Sequence, residues 1–232
     1  MALIVADGLT KTYATGSITV EALKELTFTV NPASFVSFVG PSGSGKTTLL
    51  NLIGALDRPT KGRLLVADTD IGRLDRYGAA AFRGHTVGFI FQEFNLIPVL
   101  TAFENVEYPL LLVQRVASAE RRRRVLDLLD AVGVSDQRDK YPDQLSGGQK
   151  QRLAVARALV TSPQLVLADE PTANLDQANA SLVMSTMRRM RDTFGTTFVF
   201  STHDPRVVSQ AEVVFRLEDG RLVSQETAGA AA

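Results

Sequence analysis

A chain of 232 residues, 45% of them hydrophobic, has enough apolar material for a sizeable core, so disorder is not the expected state. Its 25 Lys and Arg balance its 25 Asp and Glu, which leaves no global basic field for nucleic acid. The absence of cysteine removes disulfides, thiolate metal sites and cysteine nucleophiles, and is compatible with a reducing cytosol.

Met1 to Gly8 lacks the basic start and long apolar stretch of a signal peptide, and no window supplies the roughly 18 uninterrupted apolar residues of a membrane-spanning helix. The expectation is a soluble chain that acts on a membrane only through a partner.

In chain order, Ile18 to Val20 and Leu26 to Val30 read as half-exposed strands of an antiparallel layer. Phe35 to Val39 is a compact apolar run that stops at a glycine-rich loop, and a helix resumes after Lys46. Val87 to Phe91, Leu165 to Ala168 and Thr197 to Phe200 are further buried strands, separated by helical or irregular sequence as a parallel sheet requires. Thr101 with Glu104 predicts a capping box opening a helix. A second helix begins after Ser118, buries Val125, Leu128, Leu129 and Val132, and ends at Gly133. A later helix from near Asp176 turns Val183, Met187 and Met190 inward and stops at Gly195.

Val213 to Leu217 is strand-like, a turn follows at Glu218-Asp219-Gly220, and a small-residue tail closes the chain. The expected fold is α/β: a phosphate-loop nucleoside-triphosphatase core with a mostly parallel sheet, an N-terminal antiparallel β layer and an inserted helical lobe. We expect one domain over 1–232, its core at about 1–92 and 161–224, the lobe at about 93–160 and a disordered tail at 225–232.

Three motifs carry the chemistry. Gly40-Pro41-Ser42-Gly43-Ser44-Gly45-Lys46-Thr47, with Thr48 after it, satisfies the phosphate-loop pattern between a strand and a helix. Its glycines let backbone N–H groups wrap phosphate oxygens, Lys46 reaches the β- and γ-phosphates, and Thr47 is placed to ligate magnesium. The plain alternative is a chance glycine-rich turn. Leu165 to Ala168 ends in Asp169 and Glu170, two carboxylates at the sheet edge where the phosphate loop opens. Asp169 suits the metal, usually through a water, and Glu170 suits the attacking water; the bland reading is an acidic strand end facing solvent. Leu145-Ser146-Gly147-Gly148-Gln149 precedes a helix and is either a second anion-ready helix start or a mere cap.

With these motifs together, the chain resembles the nucleotide-binding domains of ATP-binding-cassette proteins, whose signature reads LSGGQ, over roughly Leu3 to Leu222. The resemblance implies that Tyr13 stacks on adenine, against the alternative of a core strand residue. It implies that Gln92 touches magnesium and the water and links the two lobes, that Asp176 meets the opposing subunit, and that His203 contacts the γ-phosphate. It also implies that two copies dimerise head to tail around two MgATP, the phosphate loop of one facing Ser146 to Gln149 of the other. His85 lies outside any motif and receives no role, and Arg121 to Arg124 read as a solvated face, with headgroup or partner contact as the alternative.

The stretch Gln92 to Glu107 resembles the branch of macrolide exporters, lipoprotein-releasing complexes and cell-division transporter-like complexes. That resemblance implies an ATPase held at the inner face of the cell membrane by a separate permease and working in export or extraction. Phe94, Leu96, Ile97 and Leu100 are expected either to receive a cytoplasmic helix of that permease or to be lobe core. An envelope signalling ATPase, or a soluble cassette of translation or DNA repair, would share every catalytic motif. Val66-Ala67-Asp68 lacks a glycine that relatives place after that strand, which puts the local turn in question.

Overall fold

Alternate residues of the same strands feed two separate cores. Phe35, Val166, Ala168, Phe198 and Phe200 pack on one face of a sheet, while Val36, Phe38, Leu165, Leu167 and Val199 pack on the other. This is the two-sided burial that a parallel sheet requires, and it is why these segments are nearly continuous apolar runs. The computed structural model describes residues 1–16 and 18–227.

The chain runs β1 (Ile4–Thr15), β2 (Ile18–Val30), β3 (Phe35–Val39), α1 (Lys46–Ile53), β4 (Lys61–Val66), β5 (Thr69–Asp70), α2 (Arg76–Thr86), β6 (Val87–Ile90), α3 (Ala102–Leu112), α4 (Ser118–Ala131) and α5 (Gly147–Leu159). It continues through β7 (Leu165–Asp169), α6 (Gln177–Phe194), β8 (Thr197–Thr202), α7 (Pro205–Val208), β9 (Val213–Glu218) and β10 (Arg221–Thr227). The main sheet has the order β10-β9-β3-β8-β7-β6, parallel except for the β9–β10 hairpin. An antiparallel sheet of order β2-β1-β4-β5 covers one face, and Phe28, Phe38 and Phe215 join the layers with ring centroids 5.0 to 5.4 Å apart. On the other face α3, α4 and α5 pack together, with α6 beside α5.

The α/β expectation matches this architecture, and several elements differ from the sequence reading in instructive ways. Ile18 to Val30 is one strand, because the left-handed Glu25 (φ 53°) interrupts its alternation without ending it. β1 escapes periodicity for the same reason: its pairing with β2 shifts register between Ala6 and Leu9, between Leu9 and Lys11 and between Lys11 and Thr12. α2 went unread because Phe82 is its one buried residue. Gln225 to Thr227, expected in the tail, continue β10, while residues 228–232 of that expected tail lie outside the described residues. Among the described residues no helix is long and apolar enough to cross a membrane.

Candidate functional site

The carboxyl ends of β3, β7 and β8 meet at one edge of the sheet and open into a cavity of about 540 Å³. It is lined by Ser42, Gly43, Gly45, Lys46, Thr47 and Thr48 from the loop and α1, by Gln92, Asp169, Glu170 and His203, and by Ala22 and Ala173. Gly43 (φ 80°) and Gly45 (φ 101°) take the left-handed conformations that let the loop curl, and a Cβ at Gly45 would lie 2.7 Å from the Ala22 carbonyl. Gly45 caps α1 without a side chain, which leaves the helix N-terminus free for an anion. Lys46 is 8% exposed, and its ammonium donates to the Gly40 and Pro41 carbonyls at 2.8 and 2.9 Å. Gly40, Pro41 and Ser44 do not line this cavity; Gly40 and Pro41 line a neighbouring one. The buried Ser44 hydroxyl finds no hydrogen-bond partner among the described residues, and Gly220 of the β9–β10 turn donates its N–H to the Ser44 carbonyl.

Thr47 donates its hydroxyl to Asp169 at 2.9 Å across the cavity, so two hard oxygen donors already face each other. A hydroxyl, a carboxylate and substrate phosphates suit magnesium, which is ordinarily held by few protein oxygens. Among the described residues no cluster of three or more His, Cys, Asp or Glu would hold a metal without the substrate. The residues therefore fit MgATP.

Glu170 sits at φ 47°, a left-handed backbone that a non-glycine residue adopts at a cost of about 1–3 kcal/mol. Ser201, fully buried on β8, holds it there. Its hydroxyl accepts the Glu170 N–H at 3.0 Å and donates to Asp169 at 2.5 Å, fixing both acids from below. The motif search passed over Ser201; its signal was a hydroxyl among apolar β8 residues, two positions before His203. The His203 Nδ1 lies 2.9 Å from Glu170 Oε1, so the ring and the carboxyl group are in hydrogen-bond contact. Asn174 donates to the Gln92 carbonyl at 3.1 Å, tying the end of β6 to the turn after β7.

Two predicted groups stand outside this cavity. Tyr13 lies on β1 with its hydroxyl donating to Asp57 at 2.8 Å and the Lys11 ammonium 4.8 Å from its ring centroid. It is 40% exposed, which excludes the core alternative. Burial, then the bond to Asp57, pushes its phenol above the usual value. Ser146 caps α5 and accepts from Gln149 N–H at 3.3 Å, and Gln149 reaches back to the Ser146 N–H at 2.8 Å. Both Gly147 and Gly148 pack against the start of α6: a Cβ at Gly148 would lie 2.1 Å from Asn179 Oδ1, and one at Gly147 would lie 3.3 Å from Leu175. Asp176 caps α6, and its bond from the Asn179 N–H, joined by the Asn179 side chain, holds its carboxyl below the ordinary range. The signature and Asp176 thus lie side by side, with Ser146 and Asp176 exposed, outside the cavity of the phosphate loop of the same chain.

A phosphate loop under a parallel sheet, two carboxylates at the next strand end and a Gln and His beside them define a nucleoside triphosphatase of the phosphate-loop class. The family model described as ABC transporter matches residues 23–173. The lipoprotein-releasing system ATP-binding protein LolD 1 of Rhodopseudomonas palustris is 44% identical over 217 residues, covering 93% of this chain and 96% of that one. The macrolide export ATP-binding/permease protein MacB of Syntrophobacter fumaroxidans is 43% identical over 221 residues, 95% of this chain but 31% of the longer MacB. Among solved structures, a dimeric post-hydrolysis state of the cassette MJ0796 of Methanocaldococcus jannaschii, bound to ADP and Pi, superposes with a TM-score of 0.88 at 40% identity, covering 97% and 98% of the two chains. The chain belongs to the ABC transporter family, as an ATP-hydrolysing subunit.

Proposed function

We propose that two copies of this chain close head to tail around two MgATP and drive a separate membrane permease in export or extraction of a substrate. One observation carries the reading: the catalytic groups share one cavity, while Ser146 to Gln149 stand outside it. The N-terminus of α5, with the exposed Ser146 at its cap, is suited to a γ-phosphate, and a second copy can deliver it to the cavity mouth. LolD and MacB, named for lipoprotein release and macrolide export, support the direction of transport, and the dimeric MJ0796 supports the pairing.

Within the cavity, the loop N–H groups bind the phosphates, and Lys46 exchanges its two carbonyl partners for phosphate oxygens. Thr47 and Asp169 would hold magnesium, directly or through water, which when bound supplies positive charge against the β- and γ-oxygens. Glu170 orients the attacking water and takes up its proton. His203, hydrogen-bonded to Glu170, keeps that carboxylate in place and offers its ring to the γ-phosphate. Gln92 closes the remaining side, and Tyr13 at the rim stacks on adenine.

Glu170→Gln tests the core of this. The variant retains ATP binding, hydrolyses at least about 10²-fold more slowly and accumulates as an ATP-bound dimer by size-exclusion chromatography with light scattering. Near-normal turnover would remove Glu170 from the mechanism.

A further inference from the structure

The segment after Gln92 is held in a conformation that its own residues disfavour. Phe94 (φ 63°) and Asn95 (φ 48°) are consecutive left-handed residues; asparagine visits that region readily, so the strain falls on Phe94. The turn has two internal ties, Phe94 N–H to the Phe91 carbonyl at 3.1 Å and Asn95 N–H to the Glu93 carbonyl at 2.6 Å, and Asn174 holds the Gln92 carbonyl before it. What spans it is Arg157 near the end of α5, whose guanidinium donates to both left-handed residues: Nη2 to the Phe94 carbonyl at 2.8 Å and Nη1 to the Asn95 carbonyl. Among the described residues no carboxylate pairs with Arg157, and burial lowers its pKa. A guanidinium placed against two carbonyls and no counter-charge is costly as a stability device and effective as a geometric one. A cavity of about 240 Å³ lined by Phe91, Asn95, Arg157 and others opens beside the turn, so the turn has room to relax.

We propose that Arg157 is a positioning residue for Gln92, a fork on the signature helix that holds the strained Phe94-Asn95 turn and through it keeps Gln92 in the catalytic cavity. The same helix holds the other catalytic turn: Gln151, fully buried, donates to the Pro171 carbonyl at 2.7 Å, one residue after Glu170. α5 therefore carries the signature at its start, grips the Glu170 turn one helical turn later and grips the Gln92 turn about 15 Å from the start. Both catalytic turns thus lean on one helix, which makes hydrolysis contingent on the seating of α5.

The inference rests on the role proposed for Gln92, and the test separates the two. Arg157→Ala is expected to lower kcat by about tenfold to a hundredfold while ATP affinity changes less than about threefold, as misplacement of one catalytic group does. Amide exchange of residues 91–95 accelerates while that of α5 is unchanged. Arg157→Lys keeps the charge but cannot bridge both carbonyls, so it falls between wild type and Arg157→Ala. Adding Phe94→Gly to Arg157→Ala relieves the left-handed strain and recovers part of the lost kcat, which no general loss of packing would permit. Wild-type exchange at 91–95 in Arg157→Ala, or in Arg157→Lys if the alanine variant does not fold, overturns the fork. So does a failure of Phe94→Gly to recover any kcat. Gln92→Ala is the control: if it keeps full turnover, the role of Gln92 fails, and the exchange measurement still decides whether Arg157 holds the turn.

Discussion

At the scale of single residues, Ser201 shows how much of the site lies beneath the groups that touch substrate. Its hydroxyl is fully buried and serves two carboxylate-bearing residues, one through a side chain and one through a backbone N–H. Ser201→Ala leaves that N–H without a partner in the core, a loss of about 1–3 kcal/mol. We expect a lower melting temperature together with reduced kcat, since Glu170 loses the contact that stabilises its left-handed backbone; thermal unfolding and steady-state hydrolysis check both. Full turnover in a destabilised Ser201→Ala would show that Glu170 holds its position without help. Tyr13 and Asp57 form a smaller unit of the same kind. Burial raises the Asp57 pKa, but bonds from Lys11, the Arg58 N–H and Tyr13 outweigh it and leave the carboxyl below its usual range. A depressed carboxyl contributes stability above its unfolded pKa and loses it as pH falls through the folded one, so this tie at the rim weakens only in acid.

At the scale of elements, each departure from sequence expectation has a local cause. The β4–β5 turn places Ala67 (φ 47°) and Asp68 (φ 60°) in the left-handed region, the geometry of a two-residue hairpin that favours Asn-Gly. The glycine missing from the sequence is thus replaced by strain rather than by another turn. Asp68 is exposed, and Asp68→Gly should stabilise the protein by about 0.5–1 kcal/mol in urea titration, with hydrolysis unaffected. No gain would mean that Asp68 tolerates its conformation freely.

On α4 the four arginines have partners within the protein: Arg121 with Glu107 at 2.9 Å, Arg122 over the Phe103 ring, and Arg123 and Arg124 with Glu120. Bonds from Arg123, then Arg124, bring the exposed Glu120 carboxyl down to about 2. The solvated face describes Arg122 and Arg123, whereas Arg121 and Arg124 are partly buried in their pairs; His85 is bonded to the Ala81 carbonyl on exposed α2.

At the scale of the molecule, the placement of apolar surface directs where a permease meets this chain. Leu96 packs against the core beside α3 to α5, so a charge there tests folding before docking. Tyr108, Leu111, Leu112 and Val113, at the end of α3, are exposed, and Val113 lines the groove in front of Arg157. That end of α3 is therefore a second candidate contact beside the half-buried Phe94, Ile97 and Leu100. Val113→Asp should lower recovery of the chain with its permease from detergent while the purified variant melts as a folded protein; undiminished recovery would place the contact elsewhere.

The sequence by itself determined the phosphate loop, the acid pair at the end of β7, the signature, and every strand of the parallel core, because a fully buried strand must be apolar along its length and a helix must announce its caps. It left β1, β10 and α2 unread, since bulges, edge exposure and a single buried residue erase periodicity. Only the tertiary structure decided that Ser201 underlies both acids, that Arg157 grips the turn beyond Gln92, and that the signature stands apart from the loop it is proposed to face. Those relations join residues some 30 to 60 positions apart, where no local pattern carries information and packing alone sets the distance.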